Sequence, residues 1–141
     1  MAEKGLQGID ETVQQTCVWI NEIADEFHGD RRHAMQILRA FLQTLRDHLP
    51  LDEMAQLSAQ FPLLVRGIYF EGWDPSRSLQ QERTAESFVA RFLKSSSIRP
   101  MDARDAIASA FRVMQRHVSS GEVDQVLASL PAPVRDLLTR A

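Results

Sequence analysis

Apolar positions along this chain recur every three or four residues and almost never alternate, so the pattern predicts helices throughout. Val13, Cys17, Ile20, Ala24 and Phe27 share one face of a first helix, which Asp10 is placed to cap and Gly29 to stop. Asp30 caps a second helix whose stripe is Ala34, Ile37, Leu38, Phe41, Leu42, Leu45 and Leu49. Pro50 opens a short third helix with Met54 and Leu57 inward. Pro62 opens a fourth, with Phe61, Leu64, Val65 and Ile68 inward.

The pattern then begins again. Residues 45–68 lie over residues 114–137 at a constant offset of 69, with no gap. The coincidences are His48/His117, Glu53/Glu122, Gln56/Gln125, Ala59/Ala128, Pro62/Pro131, Val65/Val134 and Arg66/Arg135. Ala34/Ala103 and apolar matches such as Trp19/Phe88 and Ile23/Phe92 carry the same offset upstream. Four helices over roughly 84–96, 100–118, 119–129 and 131–140 follow from it, the third opened by the capping box Ser119–Glu122. Phe41 matches Ala110 while Leu42 matches Phe111, an exchange of large and small residues that suits two units packed face to face. The expected fold is all-α: a single domain over 1–141, a bundle of about eight helices. It is built from two tandem four-helix repeats related by a pseudo-twofold axis. Repeat one covers about 10–70 and repeat two about 84–140, and EGWDPSRSLQQER, 71–83, is a connecting loop.

Composition narrows the function classes. The net charge is −3, which argues against a general nucleic-acid binder, since grip on phosphates comes from a basic surface. The short helices 51–59 and 62–70, which a helix-turn-helix would use for recognition, are not rich in basic residues either. The most apolar run, Phe61 to Phe70, is half the roughly 20 residues of a membrane span, and Arg66 interrupts it. One cysteine and a start, MAEKGLQG, without an apolar leader segment point to a soluble cytoplasmic protein.

LRDHLPLDEMAQLSAQFPLLVRGIYFEGW, TAESFVARFL and SGEVDQVLASLPAPVRDLL together resemble a bacterial family known only as domain of unknown function 2267. The likeness spans roughly residues 12 to 140, with FP standing in the first unit where the family pattern has LP. It implies a duplicated all-helical fold and brings no activity, cofactor or site with it.

No catalytic constellation, phosphate-cradling glycine loop or cofactor signature is present, and no catalytic residue, cofactor or metal is assigned. Arg66 and Arg135, retained in both units, are the candidates for clamping an anion. Their structural alternative is to pair with an acid, Glu53 and Glu122 being the obvious partners, or to cap carbonyls of their own unit. His48 and His117 sit near the ends of their long helices, where a partly cationic ring favours the dipole. FHGDRRH offers His28, Asp30 and His33, but not the several carboxylate–histidine pairs that a metal in a bundle needs. Cys17 reads as a small core residue. Phe70 and Trp73 have no aromatic counterpart in the second unit, so they either cover the end of the bundle or form a patch for a partner.

The expected function is a non-catalytic protein-interaction module that binds a protein partner or its own copy. The alternative is a small-molecule or anion-binding protein, or an enzyme, with a site between the repeats using Arg66 and Arg135.

Overall fold

The computed structural model describes residues 4–27 and 29–140. Among them are eight α-helices, one 3-10 turn and no strand. They are α1 (Lys4–Glu26), α2 (Arg31–His48), α3 (Leu51–Ser58), α4 (Leu63–Phe70), α5 (Ala85–Lys94), a turn at Pro100–Asp102, α6 (Ala103–His117), α7 (Ser120–Ala128) and α8 (Ala132–Leu138). No helix of the described residues is long and apolar enough to cross a membrane.

The local signals act mostly where the sequence places them. Asp30 caps α2 by accepting the His33 amide at 3.1 Å, Thr84 caps α5, and Ser119 caps α7 by accepting the Glu122 amide at 3.2 Å. Pro50, Pro62 and Pro131 stand at the N-caps of α3, α4 and α8, where a missing N–H costs nothing. The start of α1 differs from expectation. Asp10 lies inside the helix, which already includes Lys4. Asp is only mildly unfavourable in a helix interior, and Leu6 and Ile9 continue the apolar spacing upstream of it, so nothing breaks the helix there.

Adding 69 to the bounds of α3 and α4 gives 120–127 and 132–139, nearly the bounds of α7 and α8. α2 packs on α6 and α3 on α7. Phe41, Leu42, Ala110 and Phe111 are all fully buried, and the Phe41 and Phe111 rings meet edge to face at 6.5 Å. The two large rings thus meet across the α2–α6 contact. Trp19, Tyr69, Phe88 and Phe92 complete the largest buried side chains.

A continuous file of aromatic contacts runs from the end of α4 to the end of α6. Trp73 meets Phe70 at 5.7 Å, Phe70 meets Tyr69 at 5.2 Å, and Tyr69 meets Phe61 at 5.1 Å. Phe61 then meets Trp19 at 5.6 Å, and Trp19 stacks on His117 at 5.0 Å. The Tyr69 hydroxyl donates to the Met54 carbonyl at 3.0 Å, satisfying the one polar atom that this tyrosine buries.

Candidate functional site

Arg66 donates from Nε to the Ser58 carbonyl at 3.0 Å and from Nη2 to the Phe61 carbonyl at 3.1 Å. Arg135 repeats this with Leu127 at 3.0 Å and Leu130 at 3.0 Å, each partner 69 residues on. In both places an arginine in a short helix reaches back eight and five residues to carbonyls left open where the preceding helix ends. Of the two structural roles open to them, carbonyl capping is the one adopted.

Glu53 and Glu122 are therefore not their partners, because the guanidinium forks point to backbone. Glu53 instead acts on Glu122 across the α3–α7 packing. Each buries its Oε2 without a hydrogen-bond partner. Burial, reinforced by the Glu53 charge, pushes the Glu122 carboxyl above its ordinary value.

His48 and His117 are the last residues of α2 and α6, yet their surroundings differ. His48 is 3% exposed, with Nδ1 2.7 Å from the Thr44 carbonyl and its ring 4.9 Å from Phe88. Burial lowers its pKa, and the Thr44 contact only partly opposes this, so the expected cationic character at the helix end is not what His48 supplies. The Nδ1 contact needs the proton on Nδ1, which leaves Nε2 buried and unpartnered. His117 is half-buried and places Nε2 2.8 Å from Glu22.

At the end of α4 the two surplus aromatics divide their roles. Phe70 is half-buried between Tyr69 and Trp73 and packs on the core. Trp73 is 37% exposed and shares a shallow pocket of about 100 Å³ with Leu51 and Met54. The C-terminus of α4 is secured from α2, a feature with no forewarning in the sequence. Gln43 donates to the Ile68 carbonyl at 3.0 Å, and Arg46 donates from Nη1 to the Tyr69 and Glu71 carbonyls, both at 2.9 Å. Arg46 is 6% exposed and binds Asp47 with its remaining nitrogens at 2.8 and 3.1 Å.

None of five surface clefts is lined by Arg66, Arg135 or His48. The roomiest, about 710 Å³, lies between the end of α1, His33 and the start of α6. Its charges are largely paired: Arg112 holds Glu26 at 2.6 Å and Arg99 holds Asp102 at 2.9 Å. Burial raises the Glu26 pKa, but Arg112, Ser109 and Arg116 together more than offset this and leave it lowered. Of FHGDRRH, Asp30 is a helix cap, His33 lines this cleft, and His28 lies outside the described residues. No group of three or more His, Cys, Asp or Glu is disposed to hold a metal ion among the described residues.

The largest departure from expectation is apolar. Leu6, Ile9 and Val13 of α1 are 48%, 57% and 44% exposed, although Val13 belongs to the inward stripe. The stripe is continuous with Thr16, Trp19 and Ile23, which are buried, so the first three turns of α1 run on past the surface that covers the rest. Leu63 and Leu64 are 66% and 41% exposed, and Leu64 was expected inward. The Leu64 amide donates to the Thr12 hydroxyl at 2.8 Å, which fixes the start of α4 beside this part of α1. The five apolar side chains therefore lie on two helices that are joined at Thr12. The signal available in the sequence was the early start of the three-four spacing at Leu6 and Ile9, upstream of Asp10.

A search of curated proteins finds no match. The model of a family described as an uncharacterized conserved protein (DUF2267) matches residues 17–137, and the chain belongs to that family.

Proposed function

We propose that this protein is a non-catalytic interaction module of the cytoplasm, and that its apolar end, built from Leu6, Ile9, Val13, Leu63 and Leu64, pairs with the same surface of a second copy. The observation that carries the reading is the exposure of five large aliphatic side chains on two helices that one hydrogen bond holds side by side. Together they expose on the order of 400 Å² of apolar surface, within the range of the largest, often functional, patches that monomers carry. Pairing about a twofold axis would bury on the order of 1,000 Å² in all once the polar rim is counted, close to the lower edge of specific interfaces. The spacing of Leu6, Ile9, Val13, Thr16 and Ile20 is the three-four alternation of a coiled-coil seam, which another copy of the same helix can match.

The test is light scattering on wild type and on Ile9→Gln/Val13→Gln across a concentration series. Both positions are open to solvent, so the variant keeps its fold, which circular dichroism checks. A dimer that grows with concentration in wild type and is absent in the variant supports the reading. A monomer at every concentration rules it out.

A second surface has its own observation. Trp73, 37% exposed, and Leu51, 63% exposed, share one shallow pocket at the far end of α4. We rank it behind the α1–α4 end because its other aromatic, Phe70, is already packed on the core.

A further inference from the structure

Between the last turns of α2, the loop after α4 and the end of α5 lies a cleft of about 400 Å³. Its walls carry four cations, Arg46, Arg77, Arg91 and Lys94, against two carboxylates, Asp47 and Glu71. Positive charge is in excess there, although the chain as a whole carries −3. The carboxylates are already paired, Asp47 with Arg46 at 2.8 Å and Glu71 with Arg39 at 2.6 Å. Arg91 grips Glu82 with both arms of its fork, at 3.2 and 2.8 Å. Arg77 and Lys94 make no ion pair within 4.0 Å among the described residues, although Asp74 lies near Arg77 and Glu82 near Lys94.

The wall that brings Arg77 to the cleft is held in place. Gly72 turns the chain at the end of α4 with φ of 71°, a value that a side chain disfavours. Leu79 is buried and donates its amide to the Asp47 carbonyl at 2.9 Å, pinning the loop to α2. Asp74 accepts from the Ser76 amide and hydroxyl at 3.0 and 2.7 Å, and the Arg77 amide donates to the Asp74 carbonyl at 3.0 Å. A cation presented on an ordered loop loses less freedom when it binds. Thr44 and Ser95 add hydroxyl-bearing side chains to the walls.

We propose that this cleft binds the phosphate group of a small phosphomonoester, with Arg77 and Lys94 as its charge contacts. A phosphomonoester carries about −1.5 to −2 at neutral pH, which the two unpaired cations balance. The guanidinium fork suits two phosphate oxygens, and the ammonium acts as a point charge beside it. The volume falls in the lower part of the range for small-ligand sites, roughly 300–1,000 Å³. The site adjoins the C-terminal end of α4, whereas the proposed pairing surface uses its N-terminal end, so either proposal can fail without the other.

The test is an amide chemical-shift titration of the whole chain with inorganic phosphate and with glycerol phosphate, each against sodium chloride at matched ionic strength. Saturable shifts are expected at Thr44, Arg77, Lys94 and Ser95 with both phosphates. Arg77→Gln and Lys94→Gln are each expected to weaken binding about tenfold. Arg104→Gln, which alters an exposed cation of α6, should leave it unchanged. Both cleft positions are exposed, and the spectrum itself reports whether each variant is folded. Shifts no larger than those from chloride would overturn the proposal, as would unchanged affinity when Arg77→Gln and Lys94→Gln are combined. Saturation by inorganic phosphate with no binding of glycerol phosphate would overturn the ester assignment.

Discussion

Truncating Arg66 and Arg135 to alanine tests whether these arginines hold the fold. Each makes two hydrogen bonds from a charged group to carbonyls at the end of the preceding helix, with lengths between 3.0 and 3.1 Å. Hydrogen bonds to charged groups contribute about 1.5–3 kcal/mol each when fully buried. These are part-buried, so water replaces some of what is lost, and a cost of about 2 kcal/mol per arginine is expected. The partners of Arg66 all lie within residues 58–61 and those of Arg135 within 127–130, so the double variant should lose about 4 kcal/mol, close to additive. Lysine at either position should recover little, because an ammonium cannot reach both carbonyls with a fixed fork. Urea unfolding followed by circular dichroism gives the midpoints, with an unchanged slope confirming that the unfolding reaction is the same. The reasoning is refuted if either alanine variant costs under about 0.5 kcal/mol, or if the two single costs differ widely, since the geometry is the same in both places.

Two titrations should appear in the pH dependence of the urea midpoint. The folded-state pKa of Glu122 is raised, so its favourable protonated form is lost as pH climbs through that value; Glu122→Gln should be more stable than wild type at neutral pH, with the gap closing on acidification. For His48 the folded-state pKa is lowered, so the unfolded chain takes the proton first and stability should fall as pH drops below about 6.5. His48→Gln should flatten that part of the profile, and an unchanged slope would count against the buried neutral ring. Phe70→Ala should cost about 2–3 kcal/mol through its lost core packing, whereas Trp73→Ala should cost about 1 kcal/mol or less in thermal melts. Equal small costs would mean that Phe70 covers nothing.

The helices were legible because caps, prolines and three-four spacing are local signals, and a local signal needs no knowledge of the partner. The positions of the size exchange, Phe41/Ala110 and Leu42/Phe111, are all fully buried, and Phe41 and Phe111 meet between α2 and α6. Electrostatic partners were less legible. Glu53 and Arg66 recur together in sequence, but recurrence does not distinguish a side chain that bonds its partner from one that bonds backbone nearby. Arg46 gave no warning, because its value comes from carbonyls 23 and 25 residues away that only the fold brings near. Val13 and Leu64 misled for a related reason: helical spacing says which face is apolar, not whether anything covers it. The cleft at Arg77 and Lys94 was hidden because the loop carrying Arg77 reads as a flexible connector, and the amide bond from Leu79 to Asp47 that orders it is a tertiary contact.

Pairing of two copies through the apolar end of α1 and α4 is tested most directly by intermolecular paramagnetic broadening. Isotope-labelled chain is mixed with unlabelled chain carrying a spin label at Gln14→Cys in a Cys17→Ser background, position 14 being exposed beside Val13. The account predicts that the amides of Leu6, Ile9, Val13, Leu63 and Leu64 broaden in the labelled copy while those of α5 and α8 do not. Broadening absent from these five residues, or spread evenly over the molecule, would contradict it.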